Sequence, residues 1–192
     1  MAAADADALA GNRAPDPRAA ARARVRLRPP VASDRAEFLA CMHASRDLHH
    51  PWISNVDTDE YFGRMLARVA DERHDPNLVC RTADGALVGL FNLSEIVRGA
   101  FQSAFVSYAA VAGHDGQGYM SDGLRLLLRR AFVDLGLHRL EANIQPANTR
   151  SIALVRGAGF VYEGVSERYL KVDGDWRDHE HWALRAEQWH AP

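Results

Sequence analysis

The sequence predicts a mixed α/β (α+β) domain: one mixed, mostly antiparallel sheet with helices on both faces. Three observations predict it. Segments with apolar residues at three-to-four spacing alternate with short β-rich runs. The middle of the chain holds a strand meander followed by a helical crossover. Two strands around an Asp173-Gly174 hairpin dipeptide then close the fold. With 192 residues, 47% hydrophobic and 25% charged, the chain suits one domain with a substantial core.

Val25-Arg26-Leu27-Arg28 alternates and stops at Pro29-Pro30, a short first strand. Ser33 or Asp34 caps a helix through about Ala44, with Phe38, Leu39 and Met42 facing inward. A second helix is expected over roughly Asp59 to Arg73, where Tyr61, Phe62, Met65, Leu66 and Val69 follow helical spacing. Leu78-Val79-Cys80 and the run from Leu87 to Leu93 read as strands around an Ala83-Asp84-Gly85 turn, and Phe101 to Val111 is a long β-rich run. A helix follows the next glycine turn and extends to about Asp134. From Arg139 to Ile144 the pattern alternates, with Leu140, Ala142 and Ile144 on one face and Arg139, Glu141 and Asn143 on the other. A helix from near Asn148 ends at Gly157-Ala158-Gly159. Strands over Phe160 to Val165, Tyr169 to Val172 and His179 to Leu184 complete the order.

The ends read differently. Before Val25 the only large apolar residue is Leu9, so residues 1–24 are expected to be a disordered tail that cannot offset its ordering entropy. Asp5 and Asp7 stand where a secretion signal needs basic residues and an apolar core. The domain is expected over 25–187, with 188–192 a short C-terminal tail. Net charge is −2, from 23 basic and 25 acidic residues, without the basic excess of a direct nucleic-acid or membrane-surface binder. There is no apolar run of about 18 residues. Cys41 and Cys80 belong to no CxxC pattern and read as buried thiols of a cytoplasmic protein.

The stretch His114-Asp-Gly-Gln-Gly-Tyr-Met-Ser-Asp-Gly-Leu raises the functional question. Glycines directly before a helix let an anion approach bare backbone N–H groups. A dinucleotide fingerprint needs a third glycine where Ser121 stands, and an early position in the chain. A P-loop needs a lysine after the glycines, and none follows.

The downstream sequence offers another match. Asn148-Thr149-Arg150-Ser151 follows Gln145-Pro146, and Gly159-Phe160 comes later. In this order the motifs resemble the GCN5-related N-acetyltransferase (GNAT) family over about Val25 to Leu184. His50-Pro51-Trp52, Ile96 to Phe101 and Tyr169 to His179 further resemble its bacterial ribosomal-protein alanine N-acetyltransferases. The resemblance implies a single GNAT-like domain that moves an acetyl group from acetyl-coenzyme A to the N-terminal α-amine of a protein, with a ribosomal protein the favoured partner. A small-amine acetyltransferase (antibiotic or polyamine) and a non-catalytic acyl-coenzyme A binding module are the alternatives.

The resemblance also implies site residues. The strand ending Ala109-Ala110-Val111 would pair with the pantetheine arm, and Gly116, Gln117, Gly118, Tyr119 and Met120 would supply the pyrophosphate cradle. One departure is Gly113, where the wider family has Gln or Arg; a backbone cradle tolerates that loss. Asn148 either binds pantetheine or only caps its helix. The family's acidic tyrosine is replaced by Val155, leaving Ser151 as the nearest acid, or as a cap. Glu141 is either the base, working through water, or a surface carboxylate. Trp52 and Tyr169 are expected to wall the acceptor slot, with His49 and His50 either beside it or merely exposed. His179 and His181 share a strand face as metal ligands would, but no third ligand has the right spacing, so no metal is expected. Trp176 and Trp182 read as packing residues.

Overall fold

The computed structural model describes residues 23–190. Its strands are β1 (Val25–Arg28), β2 (Asp75–Arg81), β3 (Leu87–Val97), β4 (Ser103–Ala110), β5 (Arg139–Ile144), β6 (Val161–Val172) and β7 (Asp175–Arg185). They form one sheet in the order β1-β2-β3-β4-β5-β7-β6. Every pairing is antiparallel except β4 with β5. That parallel step needs a crossover, which the helices between these strands provide.

Helices cover both faces. On one side lie α1 (Arg35–Ala44), the single turn α2 (Arg46–His49) and α3 (Asp59–Arg68). Phe38, Met42, Phe62 and Met65 pack there against Leu78, Cys80 and Leu90. On the other side lie α4 (Tyr119–Arg129), continued by a π-helical turn over Arg130–Asp134, and α5 (Thr149–Gly157). Leu124, Leu127 and Leu128 pack there against Val79, Phe91 and Leu140. The period of two sorts the strands between these cores: Leu78 and Cys80 face one, Val79 the other. Phe38 and Phe62 are fully buried, each contributing roughly 1.5–3 kcal/mol.

Several boundaries differ from expectation. The helix α3 ends at Arg68, not Arg73. Val69 is 45% exposed, and the Asp71 carboxylate accepts the Arg73 N–H at 3.0 Å, closing a turn where the helix would have continued. The two strands expected over residues 160–172 are one, β6, because a bulge between Ser166 and Leu170 carries the chain across the apparent break. Arg168 takes φ 50° inside it. The single turn α2 was not anticipated.

Of the expected tails, residues 1–22 and 191–192 lie outside the described residues. Arg24 and Trp189, assigned to those tails, are part of the domain. The Arg24 carbonyl accepts the Thr82 N–H at 2.9 Å, and its guanidinium pairs with Asp122 at 2.6 Å. Trp189 packs on Phe132 with ring centroids 5.6 Å apart. Apolar content alone misses residues held by polar contacts, or by one aromatic pair.

One feature of the sheet places the site. Pairing of β4 with β5 ends at Phe105↔Glu141. Beyond it the two strands part, so the last residues of β4 have no strand neighbour on that side while β3 still pairs them through Ala110.

Candidate active site

The gap where β4 and β5 part opens into a cleft of about 550 Å³. Tyr108, Ala109 and Ala110 line it from β4. The glycine turn and the first residues of α4 line it from one side of the sheet, together with Asn148, Arg150 and Ser151 at the start of α5. His49, Trp52 and Ile53 line it from the other. The cleft therefore joins the two faces through the splayed sheet.

The turn leaves its backbone open to the surface. Gly113, Gly116 and Gly118 all have positive φ, with 83° at Gly118, a region where a side chain is strained. A Cβ at Gly113 or Gly116 would meet nothing within 4 Å, so the surface above them is open. The first helical hydrogen bond is Asp122 N–H to the Gly118 carbonyl at 3.1 Å. The N–H groups of residues 116–121 have no protein acceptor among the described residues. A run of free donors at the positive end of a helix suits phosphate oxygens.

Of the expected cradle residues, Gly116, Gly118, Tyr119 and Met120 line the cleft. Gln117 turns its side chain back, donating from Nε2 to the Gly113 carbonyl at 2.8 Å. Ala109 lines the cleft; Val111 is buried beyond the end of β4, its N–H on the Val88 carbonyl at 3.0 Å.

Asn148 caps α5: its Oδ1 accepts the Ser151 N–H at 3.1 Å. Both readings of Asn148 meet here, since the capping bond uses Oδ1 and Nδ2 remains available in the cleft. Ser151 also lies in the cleft, and its carbonyl accepts a long 3.4 Å hydrogen bond from Tyr108 Oη. Burial pushes the Tyr108 phenol up to about 12, against a smaller opposing effect from Ser151. Val155 is fully buried.

The second catalytic candidate is not brought to the cleft. Glu141 sits at the last paired position of β4 and β5, ahead of the gap. Its Oε1 accepts from Arg139 Nε at 2.9 Å, and Arg139 also binds Glu163 through both terminal nitrogens. Alternation in β5 identified its face correctly, but where the neighbouring strand stops pairing decides its distance from the gap.

Trp52 lines the cleft and its carbonyl accepts from Gln145 Nε2 at 3.3 Å, tying the loop after α2 to the end of β5. Tyr169 does not line the cleft. It stands on β6 with its ring edge-on to His181, centroids 4.8 Å apart. His181 bonds Asn143 Oδ1 at 2.7 Å and Ser166 Oγ at 2.8 Å. Among the described residues no group of three or more His, Cys, Asp or Glu is placed to hold a metal. Trp182 is buried, as a packing residue should be, whereas Trp176 is 60% exposed.

One cleft residue went unrecognised as a functional candidate in the sequence. Tyr108 read only as part of a β run. His49 is buried, and its Nε2–H donates to the Ala110 carbonyl at 2.8 Å. That bond fixes the tautomer and leaves Nδ1 buried without a partner. The sequence offers His49 either beside the acceptor slot or merely exposed; it is buried and lines the cleft.

Comparison with known proteins points the same way. A family model described as an acetyltransferase (GNAT) domain matches residues 24–161. The Bacillus subtilis protein named Probable N-acetyltransferase YjcK is 31% identical over 163 residues, covering 80% of this chain and 90% of that protein. The Escherichia coli ribosomal protein uS5-alanine N-acetyltransferase is 36% identical over 103 residues, covering 54% of this chain and only 53% of that enzyme. Among solved structures, Mycobacterium smegmatis RimJ in complex with CoA-disulfide is similar with a TM-score of 0.78 and 31% identity, covering 85% of this chain and 82% of that one.

Proposed function

This chain belongs to the GNAT acetyltransferase family, and on that premise we propose that it acetylates the N-terminal α-amine of a protein, with a ribosomal protein the favoured acceptor. The observation that carries the proposal is the cleft itself. It joins a glycine turn with free N–H groups on one face of the sheet to an opening walled by Trp52 on the other, through strands whose edge is unpaired. The similarity to the uS5-alanine acetyltransferase and to RimJ supports the protein acceptor.

Acetyl-coenzyme A, when bound, supplies the activated acetyl thioester. The residues present fit it: the free N–H groups of residues 116–121 would take the pyrophosphate, the unpaired edge of β4 at Ala109 and Ala110 would take the amide-bearing arm, and Asn148 Nδ2 would add one donor. Ser151 Oγ–H and Tyr108 Oη–H are the proton donors this reading favours; a tyrosine is protonated at neutral pH, and burial raises Tyr108 further. Glu141 is held by Arg139 and does not line the cleft, so this reading assigns it no proton transfer. An α-amine has an ordinary pKa near 8, so water suffices to remove its proton.

The test compares three acceptors with purified protein and acetyl-coenzyme A. A peptide beginning with Ala and carrying a free α-amine is expected to be acetylated there. The same peptide with that amine blocked and an internal lysine free is expected to stay unmodified, as is spermidine. Rapid modification of the blocked peptide or of spermidine in preference to the first would refute the N-terminal reading.

A further inference from the structure

A second cavity, of about 300 Å³, lies between α3 and β3. Ser54 and Asn55 edge it from the loop that follows Trp52 and Ile53, while Tyr61, Arg64 and Arg68 line it from α3 and Asn92 from β3. The site described above uses none of these six. From them we propose an acceptor subsite for a carboxylate, which selects peptides with an acidic side chain near the N-terminus. This rests on the reading of the chain as a peptide acetyltransferase.

Charge comes first. Arg64 and Arg68 are one helical turn apart on α3, so both guanidinium groups reach the same opening. No carboxylate lines the cavity. The one partner of Arg64 is Glu60 on the exposed surface at 2.6 Å, with 82% of the Glu60 side chain in solvent, a pair that competes weakly with a ligand. Arg68 has no ion pair among the described residues. Two cations over a polar cavity attract an anion and repel a polyamine.

The floor supplies the second argument. Asn92 is buried at 8% exposure. Its Nδ2 donates to Tyr61 Oη at 3.3 Å, and its Oδ1 is buried with no partner. The Tyr61 hydroxyl both donates and accepts, so it satisfies either orientation of the amide. Turned over on binding, with Oδ1 accepting from Tyr61 Oη, the amide would present its two Nδ2–H donors to the cavity. A ligand carboxylate beneath Arg64 and Arg68 would satisfy them, ending an otherwise costly orphan.

Register then connects the cavity to the cleft. Asn92 lies two residues from Leu90, which pairs with Ala109, a residue of the cleft wall. Diagonal neighbours of this kind stand roughly 7–8 Å apart. An extended peptide advances about 3.3–3.6 Å per residue. With the reacting amine beside Ala109, the second or third residue of the acceptor therefore reaches the cavity.

The experiment uses three peptides that begin with Ala and differ only at positions two and three, which carry Asp, Asn or Lys. For the unmodified protein, kcat/KM is expected to be at least tenfold higher for the Asp peptide than for the Asn peptide, and lowest for the Lys peptide. In the Arg64→Ala, Arg68→Ala double variant the ratio of Asp to Asn should fall to about one, with the Asn peptide and acetyl-coenzyme A binding unchanged. Arg68→Glu should turn the preference toward the Lys peptide. Both arginines are exposed, so these variants should keep the fold, and a melting curve verifies it. Equal rates on the three peptides would overturn the subsite while leaving N-terminal acetylation standing. Acetylation of spermidine with no peptide modified would overturn both.

Discussion

Replacing Arg24 by Ala should weaken acetyl-coenzyme A binding about three- to tenfold while leaving the fold in place. The guanidinium lies across the glycine turn. Nη1 donates to the Gln117 carbonyl at 3.0 Å, Nε to Asp122 at 2.8 Å, and the group stands 5.2 Å from the centroid of the Tyr119 ring. The side chain is 54% exposed, so these contacts are screened and together contribute about 0.5–1.5 kcal/mol to stability. That corresponds to a Tm decrease of roughly 1–6 °C for a domain of this size. For the cofactor two charges change at once: a cation leaves the helix start and the Asp122 carboxylate loses a partner beside the free N–H groups. Each change at a helix terminus is worth about 0.3–1 kcal/mol. Because Arg125 still pairs with Asp122 at 2.8 Å, the lower part of that range applies, about three- to tenfold in affinity.

Calorimetric titration of the purified variants measures this directly, and a second substitution gives the sign. Asp122→Asn in the Arg24→Ala background should restore most of the lost affinity, and Asp122→Asn alone should bind as tightly as the unmodified chain or tighter. All three differences should shrink as salt rises, since the charges are exposed. Affinity unchanged in Arg24→Ala at low salt, or lost further in the double variant, would refute the electrostatic account. It would also move the phosphate away from the turn.

Two further outcomes follow from packing and from pH. A Cβ at Gly89 would come within 2.9 Å of the Ala109 carbonyl and 2.4 Å of Met120 Sδ; Met120 can yield but the strand cannot, so Gly89→Ala should cost about 1–3 kcal/mol, and a melting temperature within one degree of the unmodified chain would contradict that. Asp34 accepts two hydrogen bonds from Arg28, at 2.6 and 2.7 Å, and one from the Val31 N–H at 2.8 Å, and the Arg28 guanidinium holds its carboxyl below the ordinary range. A depressed native pKa adds stability that is fully present above the unfolded value near 4 and lost as pH falls through the native one. Asp34→Asn should therefore lower Tm at pH 7 by the equivalent of roughly 1.5–3 kcal/mol, with the gap closing below pH 4; a gap independent of pH would exclude this linkage.

What the sequence reveals is what is periodic. Alternation in Arg139–Ile144 reappears as strict alternation of burial in β5, and the glycines before α4 do carry the positive φ that made them worth noting. The departures mostly turn on where distant segments meet. Val69 continues the helical spacing of α3 but finds no core to face, so the pattern overshoots the helix. Glu141 and Asn143 share one face of β5 and look equivalent, yet β4 stops pairing at Glu141. Glu141, at the last paired position, is locked in an ion pair with Arg139, whereas Asn143 beyond it bonds His181. Tyr108 is in the same position from the other strand: it becomes a cleft residue because β5 has left its side, which nothing in its own neighbourhood encodes. The cavity between Arg64, Arg68 and Asn92 is a still clearer case. Two arginines at i and i+4 on a polar helix face read as solvated surface, and an asparagine in an apolar strand reads as an imperfection. Only the packing of α3 on β3 turns the three into one site, with an unpartnered amide facing two cations. Local patterns thus account for which elements form, while the chemistry comes from where a strand pair ends and which helix covers it.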